Sequence, residues 1–313
     1  MPVSYFKGNP DFGDKSNTEL LRQTFMVWLD WGFTTAGAYY NYTLPTSGAY
    51  GGEFTRLRPA KDPNFADGRV WETARSNLVW ESGTTNGTPI DISGVYVDGT
   101  FNPTSGGGHV INYPLGRVIF DSPISTSSTV QMEHSSKHIR IIDANNIPIF
   151  TRAQPESFRV DNSNFLQFSS GVWSQLPQSR VQMPFVAVDI TSSRNYQGYE
   201  LGNSTLRTET DVVCHVIGEN FSDVDRASDI LGQQKDSKIY LFNSNLMADD
   251  GFTVLSQSGS KTNNTQTYPQ IVKTSGRYRS SECYITDSAI QKTETIGNDL
   301  FKRTVRLTCE ILV

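Results

Sequence analysis

The sequence predicts a strand-rich α+β fold: an N-terminal capped helix, an antiparallel β-meander, and a second antiparallel sheet with a helix on one face. Three observations predict it. The 313-residue chain is 36% hydrophobic and 19% charged, both low, and Ser, Thr, Asn and Gln fill the difference, a composition suited to strands and long turns. Short apolar runs with alternating character are separated by Gly, Pro, Asn and Asp turn signals. Helix start signals occur at Ser16 and near Ser222. We divide the chain into an N-terminal arm (1–15), a helix plus β-meander domain (16–150) and an α+β sheet domain (151–313).

Residues 1–15 combine Gly and Pro punctuation with the aromatic anchors Tyr5, Phe6 and Phe12, which reads as an ordered or docking arm. Ser16-Asn17-Thr18-Glu19 forms a capping box, because the Ser hydroxyl and the Glu carboxylate can each satisfy a backbone N–H at a helix start. A helix over about 17–31 follows. Its stripe of Leu20, Leu21, Thr24, Phe25, Trp28, Leu29 and Trp31 faces a core or a neighbouring subunit, and Gly32 is expected to end it by supplying a left-handed cap.

From Phe33 to Gly94 glycines and prolines break any long element, and Trp71–Glu81 reads as either a strand or a short helix. Val95-Tyr96-Val97, Asp98-Gly99 and Thr100-Phe101 form a type I′ hairpin signature, since Asp-Gly tolerates the positive φ values such a turn needs. Val110–Tyr113, Pro114-Leu115-Gly116 and Arg117–Asp121 repeat it with a type II-like turn. Residues 129–142 add one or two strands, which completes the meander.

In the second half, Val181–Ile190 and Leu206–Ile217 read as strands. Ser222-Asp223-Val224-Asp225 opens a short helix ending near Gly232, and Lys238–Phe242 is a buried strand. Arg277–Thr286 and Lys302–Leu312 close the sheet, the last with Val305, Leu307, Cys309 and Ile311 on one face. The polar loop 255–267 is expected to be mobile or to order only in an assembly.

The net charge of −5 gives no global positive field, so neither sequence-specific nucleic-acid binding nor membrane association is expected. The N-terminus lacks the pattern of a signal peptide, and no apolar run approaches 18 residues. Cys214, Cys283 and Cys309 are widely spaced and odd in number, and read as free thiols buried in strands.

Catalytic signatures are missing as well. His134 and His138 stand four apart in an extended segment without a third ligand, and no nucleophile elbow, Walker loop or dinucleotide fingerprint occurs. Gly106-Gly107-Gly108 reads as a turn, Asp223, Asp225 and Asp229 as helix flanks without calcium-loop spacing, and Asp249-Asp250-Gly251 as a turn. We therefore expect no enzyme activity, no cofactor and no metal. The residues that stand out are the aromatics Tyr39, Tyr40, Tyr42 and Tyr50, in a Gly-rich stretch with Arg56 and Arg58, which could stack on sugars or form a protein interface. Tyr and Arg are what interface hot spots favour, and Tyr39, Tyr40, Tyr42, Arg56 and Arg58 with Tyr5, Phe6 and Phe12 form the candidate interface set.

Three blocks carry a resemblance: Phe54–Trp80 (FTRLRPAKDPNFADGRVWETARSNLVW), Ile92–Val97 (ISGVYV) and Asn112–Pro123 (NYPLGRVIFDSP). They resemble stretches of virion structural proteins of tailed, especially contractile-tailed, phages. Asp211–Gly218 (DVVCHVIG), leading into a helix and a strand, resembles the core of neck and tail-terminator proteins. The resemblance implies a structural virion protein, assembled in the host cytoplasm as a ring at the head-to-tail interface. Its partners would be other copies of itself and neighbouring neck, portal or tail proteins. Alternatives are another tail, baseplate or fibre-attachment component or, from a different class, a virion-associated carbohydrate-binding or envelope-degrading protein. The last would need two facing carboxylates in a cleft.

Overall fold

The computed structural model describes residues 15–44, 55–81, 83–84, 86–144, 166–169, 172–175, 182–198, 206–273, 276–296 and 300–312. The arm with Tyr5, Phe6 and Phe12 lies outside the described residues, as does Tyr50. The chain folds as two units, each assembled from separated stretches. The hairpin unit comprises 27–139 and 242–279, and the sheet unit 1–26, 140–241 and 280–313.

Helix α1 spans Asn17–Thr35. Its capping box is reciprocal, with the Ser16 N–H donating to Glu19 Oε2 at 2.8 Å and the Glu19 N–H to Ser16 Oγ at 3.3 Å. The bond from Ser16 holds the Glu19 carboxyl below its ordinary value. Leu20, Leu21, Thr24, Phe25, Leu29 and Phe33 are buried, while Trp28 and Trp31 of the expected stripe are half-buried. The expected stop at Gly32 is corrected. The helix runs through it because the apolar stripe continues to Phe33, and the left-handed residue is Gly37, at φ +88°.

In the hairpin unit the strands are β1 (Tyr39–Tyr42), β2 (Arg58–Pro59), β3 (Val70–Glu72), β4 (Gly94–Val97), β5 (Thr100–Pro103), β6 (His109–Asn112), β7 (Arg117–Phe120), β8 (Val130–Gln131) and β9 (His134–Lys137). Both predicted hairpins form. Asp98 and Gly99 take φ +48° and +81° between β4 and β5, and Gly116 takes +65° before β7. The strands do not line up in one continuous meander. They sort into three small antiparallel sheets, β2-β3-β7-β6, β5-β4-β8 and β1-β9, because strands of two to four residues alternate with loops that redirect the chain.

In the Trp71–Glu81 stretch the regular element is the end of β3, so the strand alternative holds and the helix is corrected. Trp71 is buried in register with Val118 of β7, and its indole N–H donates to the Gly68 carbonyl at 2.9 Å. Leu57, Trp71, Leu78, Trp80, Ile111, Val118, Phe120 and Met132 share one core. Arg117 anchors the sheet edge by pairing with Glu72 at 2.6 Å and Asp62 at 3.0 Å. The polar loop 255–267 is ordered against this unit. The Asn112 side chain donates to the Ser258 carbonyl at 2.7 Å, the Tyr113 N–H donates to the Gly259 carbonyl at 2.9 Å, and Leu255 packs on the core. Short helices α3 (Ser244–Asp249) and α4 (Tyr268–Lys273) flank it.

The sheet unit contains β10 (Arg140–Asp143), β11 (Leu166–Ser169), β12 (Val172–Gln175), β13 (Phe185–Gly198), β14 (Leu206–Gly218), α2 (Phe221–Gly232), β15 (Lys238–Phe242), β16 (Arg279–Ile290), β17 (Glu294–Ile296) and β18 (Leu300–Leu312). Apart from the β11-β12 hairpin, these strands form a seven-stranded sheet in the order β10-β13-β14-β18-β16-β15, with β17 on β18. The central pairs are antiparallel, but β10 joins β13 in parallel, which a long crossover between them permits.

Val212, Cys214 and Val216 of β14 alternate onto the same face as Val305, Leu307, Cys309 and Ile311 of β18, and all are buried. Helix α2 packs against both strands, and its Asp225 pairs with Arg303. The cap of α2 lies two residues earlier than expected. The Asn220 side chain accepts from the Ser222 N–H at 2.9 Å, so Asn220 and not Ser222 opens the helix. The opposite face is polar. Arg306 and Thr308 both bond Asp211, and Arg207 pairs with Glu310 at 2.8 Å.

The three cysteines are free and buried. Burial pushes the Cys214 thiol up to about 12, and the hydrogen bond with Cys283, then burial, raises Cys309 well above the ordinary thiol range.

Candidate interface and buried charge cluster in the hairpin unit

Strand β1 is Tyr-Tyr-Asn-Tyr, and its pleat sends alternate side chains to opposite faces of the β1-β9 pair. Tyr39 and Asn41 face a neighbouring loop, where the Tyr39 hydroxyl donates to the Asn86 carbonyl at 3.1 Å and the Asn41 amide to the Thr88 carbonyl at 3.2 Å. Tyr40 and Tyr42 take the other face. The Tyr40 ring is 46% exposed, stands edge-on to His138 at 5.0 Å and lies 5.9 Å from the Arg75 guanidinium, in cation–π range. The Tyr42 ring packs against His134 in a tilted arrangement, centroids 5.1 Å apart.

His134 is buried, and its Nδ1–H donates to the Met132 carbonyl at 2.9 Å. Burial lowers its pKa, so the ring is neutral at physiological pH. Burial also raises the Tyr42 phenol. The patch therefore offers an exposed ring braced by one cation and an imidazole, on a strand fixed by its pairing with β9.

Of the other expected interface residues, Arg56 forms a bridge with Gln131 and Arg58 lies on β2 opposite Glu72, both exposed. The arginine that meets Tyr40 is Arg75, which sequence reading missed because 35 residues separate the pair. His134 and His138 each pack against a tyrosine ring. Among the described residues no group of three or more His, Cys, Asp or Glu side chains is arranged to hold a metal ion. No described helix is long and apolar enough to cross a membrane.

On the Tyr39 side of β9 lies a second feature with no sequence signature. Lys137 is 2% exposed, and its ammonium donates to Asp30 Oδ2 of α1 at 2.5 Å and to Glu81 Oε1 at 2.5 Å. The Trp80 ring lies 5.6 Å from the same nitrogen, and the Trp80 N–H donates to Glu81 Oε2 at 3.1 Å. Asp30 keeps 23% of its side-chain surface, Glu81 only 1%. Burial, partly opposed by the Lys137 charge, raises the Glu81 carboxyl to about 7. Lys137 is held above the ordinary lysine value, the two carboxylates outweighing its own desolvation.

No protein-family model matches the chain, nor does any curated protein or solved structure.

Proposed function

We propose that the protein is a structural virion component of a tailed phage that assembles as a ring at the head-to-tail interface, as a neck, connector or tail-terminator protein. Its partners in this reading are further copies of itself and adjacent neck, portal or tail proteins, met in the host cytoplasm and retained in the virion. The observation that carries the reading is the Tyr40, Arg75 and His138 patch. A half-exposed aromatic already braced by its neighbours loses little freedom on binding, which is how a few residues come to dominate an interface. The phage-like blocks include Arg75 and the β3 and β7 strands of the same unit, and they supply the setting.

The test is sedimentation velocity on the full chain and on Tyr40→Ala and Arg75→Ala variants, with circular dichroism to confirm folding. Defined oligomers that dissociate in the folded variants are expected. Variants that assemble like the parent chain overturn the role of the patch. A monomer that ignores neck, portal and tail proteins but binds envelope polysaccharide overturns the assembly reading in favour of the carbohydrate-binding alternative.

A further inference from the structure

Lys137, Asp30 and Glu81 bring together an amine, a carboxyl and a proton carrier in a site closed to most water. We propose that the hairpin unit joins Lys137 Nζ to Asp30 Cγ in an intrachain isopeptide bond, with Glu81 carrying the protons.

The geometry is that of a poised condensation. Nζ rests 2.5 Å from Asp30 Oδ2, and a nitrogen in contact with a carboxyl oxygen lies within about 3–3.5 Å of its carbon, the range from which addition proceeds. Glu81 Oε1 touches the same nitrogen at 2.5 Å, close enough to exchange a proton directly. Its raised pKa of about 7 suits it to accept and return protons near neutrality. Lys137 itself is sealed, 2% exposed beneath the Trp80 ring, so hydrolysis of the product is impeded.

The two carboxyls are not equivalent. Glu81 is enclosed, and its second oxygen is engaged by the Trp80 N–H. Asp30 retains a solvent-facing side, through which the released water leaves. Condensation with Asp30 also removes one buried cation and one anion together, and buried charges are costly even when paired.

The step balances without a co-reactant. Glu81 accepts one proton from the Lys137 ammonium and returns it to the Asp30 carboxylate, and the freed electron pair on nitrogen adds to Cγ of the resulting neutral acid. A second proton from nitrogen then passes through Glu81 to the departing hydroxyl oxygen. The C–O bond breaks and water departs, leaving one hydrogen on the amide nitrogen and Glu81 in its starting charge state. The product clips α1 to β9 across 107 residues of chain.

Intact mass spectrometry of the purified full chain, followed by peptide mapping, tests this. The folded chain is expected to weigh one water less than its sequence and to yield a branched peptide joining Asp30 and Lys137. Asp30→Asn should lose ammonia in place of water, Lys137→Arg should retain the full mass, and Glu81→Gln should retain the water while folding. An unreduced mass without a branched peptide, in folded parent chain held at neutral pH, overturns the proposal. A bond from Lys137 to Glu81 overturns the assignment of roles. A Glu81→Gln chain that is folded and linked as fully as the parent overturns the part given to Glu81.

Discussion

Replacing Lys137 by Met is the most informative perturbation of the hairpin unit. The substitution preserves much of the side-chain volume and removes the cation that touches both Asp30 and Glu81. Asp30 can turn its charge toward solvent, but Glu81, 1% exposed, cannot. Stranding a buried charge by deleting its partner costs about 3–5 kcal/mol, a large share of the roughly 5–15 kcal/mol that holds a domain folded. Replacing all three residues with neutral ones, Lys137→Met, Asp30→Asn and Glu81→Gln together, leaves no stranded charge. This variant should regain at least about 2 kcal/mol over Lys137→Met alone. Both chains lack the lysine amine, so the comparison is independent of any Lys137–Asp30 bond.

The pH dependence has a definite sign. The folded pKa of Glu81 lies above its ordinary value of 4.5, so its contribution is complete below that value and is lost as pH rises through about 7 and beyond. Without Lys137, which lowers that pKa, the loss extends to higher pH. Urea unfolding followed by Trp fluorescence should therefore find Lys137→Met more stable at pH 5 than at pH 8, with a much flatter profile in the triple variant. A triple variant no more stable than the single one, or a Lys137→Met chain that gains stability with pH, would refute the reasoning.

Three further outcomes follow from the geometry. Gly68→Ala should lower stability by more than about 2 kcal/mol, since φ is +83° and a Cβ there would sit 2.1 Å from the Ile124 carbonyl oxygen; a thermal melt unchanged from the parent would contradict this. Asn220→Ala should cost about 1 kcal/mol by removing the cap of α2, and Asn220→Asp should restore it, as measured by denaturant midpoint. All three cysteines are free and buried, with Cys214 and Cys309 held protonated. An aromatic disulfide reagent should leave the native chain unmodified and label every thiol once it unfolds, and rapid labelling of native protein would count against the placement of these strands.

What was legible in the sequence was local. The Ser16 capping box, the Asp98-Gly99 turn and the alternation from Val305 to Ile311 each depend on residues a few positions apart, and each forms as read. Where the reading failed, competing contacts decided. Gly32 tolerates helical geometry while Phe33 continues the buried stripe, so α1 ends later. Asn220 out-competes Ser222 because both are good caps and only the backbone path selects between them. The polar composition of 255–267 suggested a loop without internal order, yet serine side chains bond one another and the backbone, and the loop lies on the core.

The functional features were less visible. Tyr40 was legible as an interface candidate by residue type, but His138 reaches it through the β1-β9 pairing, and Arg75 comes from the segment beside the Leu78–Ser136 bridge. Asp30, Glu81 and Lys137 carry no spacing signal, since 56 residues separate Glu81 from Lys137. Only tertiary structure turns three ordinary charged residues into one buried cluster.

The central proposal is assembly at a phage head-to-tail interface, and light scattering on the purified full chain, alone and then mixed with portal, neck and tail proteins of the phage proposed as its source, tests it most directly. The account predicts a closed oligomer of defined mass, or a monomer recruited into one by a preassembled partner. A chain that stays monomeric in every mixture would contradict it.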